Sequence, residues 1–293
     1  MRWQVLNKKI KKRLLYLLLG LVLLTCFFYF QNNSIVTTPY NFSTDKVPQN
    51  FNGYKIVQLS DLHSKSFENN HSDLVKKVKK VKPDLIVFTG DLIDSDRYNE
   101  KTSLTLMEKL VQIAPVYYVT GNHEWWSGKF NSLEDKLKDT GVHVMRNTVE
   151  EITIGKDEIQ KIIGIDDPAK VNESYVERAI AEEDIKNAIK GLEEGVNFKI
   201  LLSHRPELFS LYTQYEFDVV FSGHAHGGQV RIPFVGGLVA PNQGLFPEYS
   251  SGMHAVDKTT MIVNRGLGNS IIPLRVFNRP EIVVVALKRV KNQ

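Results

Sequence analysis

Five short segments of this chain carry residues of the kinds that bind metal ions. They are Ser60-Asp61-Leu62-His63, Gly90-Asp91-Leu92-Ile93-Asp94, Gly121-Asn122-His123-Glu124, Ser203-His204 and Gly223-His224-Ala225-His226. Each follows directly on an apolar run that reads as a β-strand, such as Lys55-Ile56-Val57-Gln58-Leu59 or Leu85-Ile86-Val87-Phe88-Thr89. One Asp after a strand is ordinarily a turn former, and one His an ordinary polar residue. Five such placements in one structural context point to a shared site, because open α/β sheets bind ligands beyond the carboxyl ends of their strands. In the last segment, two histidines two residues apart would project to the same side of an extended chain. His71, His143 and His254 lack this context and read as surface residues or supports behind the ligands.

A thiolate-free set of carboxylates, imidazoles and an amide suits Mn, Fe or Zn and does not choose among them. The donors are too many for one four-coordinate ion. Two ions bridged by a carboxylate would use them, and such pairs serve phosphoryl chemistry.

The elements that must position these donors alternate along the chain. Strands are predicted at 54–59, 85–89, 116–120, two near 142–155, and at 160–165, 198–203, 217–221, 228–233, 260–264 and 281–288. Helices are predicted at 72–82, 103–113, before Gly141 and over 173–192, from apolar residues at helical spacing such as Leu74, Val75, Val78 and Val81. Strands interleaved with helices indicate an α/β layered domain.

The N-terminal end has a different character. Of the 37 Lys and Arg residues, six lie in residues 1–13, which contain no acid; the remaining 31 are slightly outnumbered by 33 Asp and Glu. The basic balance therefore belongs to that segment, and a nucleic-acid-binding face is not indicated. Residues 14–30 are seventeen residues without a charge, about 25 Å as a helix. A cleaved signal peptide is the rival to an uncleaved anchor, but no small-x-small site follows, and Tyr29 with its neighbouring phenylalanines suits an interfacial belt. The basic flank puts 1–13 in the cytoplasm and the rest outside, making a single-pass membrane protein. Residues 31–50, rich in Asn, Ser, Thr and Pro, read as a linker, with Ile35-Val36-Thr37-Thr38 as a strand candidate. Cys26, the only cysteine, lies in the anchor, so the globular part, expected over 51–289, has neither a disulfide nor a thiolate ligand.

The ordered set Asp-x-His, Gly-Asp-x-x-Asp, Gly-Asn-His-Glu, a lone His and Gly-His-x-His resembles the calcineurin-like metallophosphoesterase superfamily. The wording around Asp61 and His224, with the anchor, is similar to its membrane-associated bacterial branch related to the YkuE and YaeI phosphodiesterases. The resemblance implies a four-layer α/β/β/α sandwich and two divalent ions per chain. Asp61, His63 and His226 would bind the first ion and Asn122, His204 and His224 the second, with Asp91 bridging them. His123 would contact the phosphate and could protonate the leaving oxygen. Asp94 would stand behind the ligands, and Glu124 would orient His123 or a ligand. Arg265 is a candidate phosphate contact, since Arg matches phosphate geometry. Trp125 and Trp126 either line a pocket or pack under the loop, with packing favoured. The function implied is a membrane-anchored phosphoesterase acting on a phosphodiester or pyrophosphate of a small-molecule, lipid or cell-envelope substrate. The alternatives are a phosphomonoesterase acting on proteins or small molecules, and a non-catalytic metal-binding scaffold; the latter is disfavoured because every matched position is filled.

Overall fold

The computed structural model describes residues 2–154, 158–171, 173–192, 198–270 and 272–290. Two six-stranded mixed sheets form its centre. The strands are β1 (Val36–Thr44), β2 (Lys55–Leu59), β3 (Leu85–Thr89), β4 (Val116–Val119), β5 (His143–Val144), β6 (Thr148–Ile154), β7 (Glu158–Gly164), β8 (Lys199–Leu202), β9 (Val219–Ser222), β10 (Gly252–Val256), β11 (Thr259–Val263) and β12 (Glu281–Arg289). The first sheet runs β1-β12-β2-β3-β4-β5, and the second β10-β11-β9-β8-β7-β6. The helices used below are α1 (Arg2–Asn33), α2 (Glu68–Val81), α3 (Glu100–Leu110), α4 (Asn122–Trp126), α5 (Phe130–Asp139), α6 (Glu177–Ile189) and α7 (Phe209–Tyr212).

Three apolar clusters explain the stacking. Val57, Leu59, Ile86 and Phe88 of the first sheet pack against Leu74 and Val78 of α2, Leu106 and Leu110 of α3, and Leu133 and Leu137 of α5. The alternate residues Ile56, Leu85 and Val87 meet Ile162, Ile200, Leu202, Val219 and Phe221 between the two sheets. Leu201, Val220 and Met261 on the far face of the second sheet bury Ala181 and Ile185 of α6 and Phe209 and Tyr212 of α7. Strands covered on both faces read as continuous apolar runs, which is why β2, β3, β4 and β9 lack alternation. The result is an α/β sandwich of two mixed sheets with flanking helices.

Within each sheet the central strands are parallel. β2, β3 and β4 pair in parallel, as do β7, β8 and β9, so their carboxyl ends collect at one edge of each sheet. Buried Gln58 ties the two edges together. Its Nε2 donates to Ser222 O of β9 at 2.8 Å and to Thr89 Oγ1 of β3 at 3.1 Å.

Several expectations change. The stretch 31–50 is not a free linker. α1 continues to Asn33, and β1 pairs in parallel with β12 along its nine residues. The Pro and Asn residues that suggested a linker are tolerated because β1 is an edge strand. The first sheet thus begins before residue 51. The strand expected at 228–233 reduces to Arg231–Ile232 paired with Gly236–Gly237, and β10, which the sequence pattern did not suggest, forms a hairpin with β11. The helix expected over 173–192 is regular only over Glu177–Ile189. Residue 155, at the end of the strands expected near 142–155, lies outside the described residues. Lys8–Asn33 is a helix long and apolar enough to cross a membrane, and almost none of its apolar window is covered by the rest of the chain.

Candidate metal centre

The carboxyl ends of β2, β3, β4, β8 and β9 deliver their donors to one buried cluster. Asp61, His63, Asp91 and His226 offer ligand atoms within 4.8 Å of one another, as do Asp91, His204 and His224. Asp91 belongs to both sets. Its Oδ2 lies 3.5 Å from His63 Nε2 and 3.3 Å from His204 Nε2, while Oδ1 accepts the backbone N–H of His123 at 2.9 Å. Asp61 Oδ1 lies 3.3 Å from His226 Nε2.

The backbone is forced to deliver these groups. Asp61, His63, Asp91, His224 and His226 all have positive φ, between 48° and 65°. Left-handed conformations are uncommon for residues other than glycine and concentrate at functional sites. The extended-segment explanation for His224 and His226 is therefore corrected. β9 ends at Ser222, and both histidines are left-handed turn residues that deliver their rings to different donor sets.

The hydrogen bonds fix which ring nitrogens are free. His204 Nδ1 meets Thr89 O at 2.6 Å, so it donates there and leaves Nε2 facing Asp91 and, at 3.2 Å, His224 Nδ1. Asp94 Oδ2 lies 3.5 Å from His63 Nδ1 and so favours a proton on that nitrogen, turning the Nε2 lone pair inward. His63 Nε2 and His226 Nε2 then face each other at 2.9 Å. Burial holds the His224 and His226 imidazoles well below their ordinary value, so both are neutral. Burial acts in the same direction on His204, but Asp91 and Asp61 outweigh it and lift that ring to about 10. Burial also opposes ionisation of Asp91, yet the surrounding imidazoles hold its carboxyl well below the usual range. Asn122 Oδ1 is buried without a hydrogen-bond partner. Converging lone pairs, an orphaned amide oxygen and buried carboxylates are what a pair of divalent cations would satisfy, so the residues fit the metals the sequence implied.

His63, Asp94 and His123 form a third close group, but it does not make another ion site. His123 Nδ1 accepts from the backbone N–H of Ser95 at 3.1 Å, with Ser95 Oγ also at 3.1 Å. The ring proton of His123 is thereby placed on Nε2. His123 lines a cleft of about 390 Å³ together with Asp91, Asn122, His224, His226 and Trp126.

Glu124 does not touch the His123 ring. Its carboxylate accepts the backbone N–H groups of Asp91 at 2.9 Å, Gly121 at 2.6 Å and Ile93 at 3.2 Å, and burial lifts it to about 7. It therefore shapes the turn carrying Asp91. Asp94 also accepts from Arg97 Nη2 at 2.6 Å. Arg265 is not brought to the cleft; its guanidinium pairs with Glu281 at 2.8 Å under the turn bearing His226. Trp125 packs on Phe130 and donates to Thr120 Oγ1, whereas Trp126 is exposed with its ring 5.2 Å from that of His123. Of the three remaining histidines, His71 is buried and bonded to Thr102 O, His143 meets Glu150, and His254 meets Ser251 O.

Sequence reasoning passed over a buried ion-pair network on the His224 side. Arg205 donates to both oxygens of Asp167, at 2.6 and 2.9 Å, and its Nη1 stands 3.3 Å from His224 Nε2. Glu207 Oε1 lies 3.9 Å from the same nitrogen. The signal was present: Asp166-Asp167 follows β7 as the other acids follow their strands, and Arg205 and Glu207 adjoin His204.

Comparison with known proteins agrees with this geometry. Residues 54–228 match the family model described as calcineurin-like phosphoesterase. The chain is 31% identical to the uncharacterized metallophosphoesterase YkuE of Bacillus subtilis, over 89% of this chain and 88% of that one. It is 32% identical to the uncharacterized metallophosphoesterase Cj0846 of Campylobacter jejuni, over 94% and 70%. It is 27% identical to the phosphodiesterase YaeI of Escherichia coli, over 80% and 82%. With its donor sets joined at Asp91, the chain belongs to the calcineurin-like phosphoesterase family and is a metal-dependent hydrolase.

Proposed function

We propose that the chain is a membrane-anchored phosphodiesterase of the branch that includes YkuE and YaeI, acting on a phosphodiester or pyrophosphate of a lipid or cell-envelope compound. The observation that carries the reading is the sharing of Asp91 between the two donor sets. In this reading Asp61, His63 and His226 would hold one cation and Asn122, His204 and His224 the other, with Asp91 shared between the two sets. Two divalent cations there would supply Lewis acidity toward a phosphoryl oxygen and a water of lowered pKa. The chain's own contribution is positioning and charge stabilisation. Thr89 O holds the His204 ring by a hydrogen bond, and Asp94 faces His63 Nδ1 at 3.5 Å, so that Nε2 of each ring faces inward. His123, its Nδ1 occupied by Ser95, donates from Nε2 to the phosphate or the departing oxygen, where negative charge grows. Trp126, beside His123, forms an apolar wall of the cleft.

Support for the diester comes from the likeness to YaeI, named a phosphodiesterase. Support for a membrane setting comes from α1, which is long and apolar enough to span a bilayer, and its basic flank is the feature that favours residues 1–13 on the cytoplasmic side in this reading. The test is full-length protein in detergent, loaded with manganese or zinc and assayed on bis-p-nitrophenyl phosphate and p-nitrophenyl phosphate. Two ions per chain with faster diester turnover is the expected result. Faster monoester turnover overturns the diester reading, and absence of bound metal overturns the site.

A further inference from the structure

The end of α1 is fixed to the domain rather than tethered to it. The rings of Phe27 and Phe277 meet edge to face with centroids 5.7 Å apart. The Arg279 guanidinium lies 4.7 Å over the Phe30 ring and donates to Ser34 O and Oγ at 2.8 and 2.6 Å. Asn269 Nδ2 donates to Asn32 Oδ1 at 2.8 Å, and the Lys65 ammonium caps Asn32 O. Only Ser34 and Ile35 separate α1 from β1, which is itself paired to β12. The position of the domain along the axis of α1 is therefore set by these contacts.

Beside this junction two loops expose apolar side chains. One carries Ile272, Leu274 and Phe277, and the other carries Ile232, Phe234 and Val235; Phe234 is fully exposed. The loops are joined by the Val230–Val276 bridge and by Arg231 N–H donating to Val276 O at 2.9 Å. Phe234 and Phe277 line one surface hollow of about 340 Å³. Scattered exposed apolar residues are ordinary, but a contiguous group marks an interaction surface. Its occupant follows from the neighbour. Phe277 touches Phe27, and Phe27 belongs to the apolar run of α1, so both rings sit at one depth.

We propose that the 232–235 and 272–277 loops insert into the headgroup boundary of the membrane that α1 enters, giving the domain a second, interfacial contact with lipid. This rests on the reading of α1 as a membrane segment. Aromatic and aliphatic side chains beside basic ones are what such a boundary accommodates; Arg231 and Arg279 supply the charge here. The contact also orients the cleft. Ser270, just before the second loop, lines the cleft, and Arg97 joins Asn269 O and Ser270 O to Asp94. The cleft mouth is thereby held near the headgroups, where a phosphoester of an amphiphile would be presented.

The test uses full-length protein carrying Cys26→Ser, reconstituted in phosphatidylethanolamine–phosphatidylglycerol vesicles. Nitroxide labels are placed at Phe234→Cys and Leu274→Cys, with Leu18→Cys and Tyr175→Cys as references; all four positions are exposed, so each substitution is compatible with folding. Power saturation compares collision with oxygen, which concentrates in lipid, against a nickel chelate, which stays in water. Labels at 234 and 274 should show an oxygen-to-nickel ratio severalfold above that at 175. Ratios at 234 and 274 equal to that at 175, with 18 immersed, overturn the interfacial contact while leaving the anchor intact. An aqueous label at 18 overturns the membrane reading of α1 and the inference with it.

Discussion

Glu124 Oε2 accepts the backbone N–H of Asp91 at 2.9 Å, so a buried carboxylate supports the residue that joins the two donor sets. The same carboxylate takes the N–H groups of Gly121 and Ile93. Removing it leaves three buried donors without an acceptor, each costing about 1–3 kcal/mol. Glu124→Ala is expected to lower stability by several kcal/mol and to loosen the turn that carries Asp91. Glu124→Gln keeps the shape and one acceptor oxygen but turns an NH2 group toward an N–H. It should fold, with metal affinity or turnover reduced roughly 10- to 100-fold, as for other supports behind metal ligands. Thermal unfolding with metal analysis separates the two variants; wild-type metal affinity and turnover in Glu124→Gln would refute the assignment.

His123 has a role separable from metal binding. Its Nδ1 takes the Ser95 N–H, leaving Nε2–H as its one donor. His123→Ala should reduce turnover about 10²- to 10³-fold, the range for loss of one donor to a developing oxyanion, while the metal content stays at the wild-type value. Ser95→Ala retains the backbone N–H and should change turnover only a few-fold. A large loss in Ser95→Ala would show that the hydroxyl, and not the backbone, holds the ring.

The parts of this arrangement that the sequence makes legible are those governed by local rules. Buried parallel strands announce themselves as apolar runs, and donors beyond their carboxyl ends are found by position alone. Asp61, His63, Asp91, Asn122, His204, His224 and His226 are placed around the two donor sets and their cleft by that logic. Relationships between distant residues are not legible in this way. β1 reads as a linker because its partner, β12, lies more than 200 residues away. Arg265 looks available for phosphate until Glu281, sixteen residues on, is seen to hold it. The left-handed turns at His224 and His226 are set by contacts from distant residues, such as the Asp61 carboxylate that accepts the His224 N–H, and these are not visible in the local sequence.

The buried pair Arg205–Asp167 should behave as a structural support of the second donor set. Both side chains are nearly inaccessible, and the guanidinium makes two short bonds to the carboxylate. Breaking a buried pair by removing one partner typically costs about 3–5 kcal/mol. Arg205→Met leaves the buried Asp167 side chain without its partner, so a loss of that size is expected in chemical denaturation. Replacing both partners with apolar residues should recover much of the stability without recovering the contact to His224. Full activity in the double variant would remove Arg205 from any part in positioning His224.

Gly223 offers the sharpest steric test of how closely the two sheet edges approach. A Cβ at this position would collide with Ser60 Oγ and with the Asp61 carboxylate, whose oxygens accept the His224 N–H at 3.0 and 3.2 Å. Ser60 is itself fixed by donating to Thr89 O at 2.9 Å, so it cannot swing away freely. Gly223→Ala therefore has to displace either Asp61 or the turn bearing His224. Overpacking of this kind costs about 1–3 kcal/mol, small enough for the fold to survive, but either displacement moves a residue of a donor set. The expected outcome is a folded protein with normal far-ultraviolet circular dichroism and a modestly lowered Tm that retains fewer than two ions per chain after dialysis. Retention of both ions with unchanged turnover would mean that the turn yields without moving either ligand.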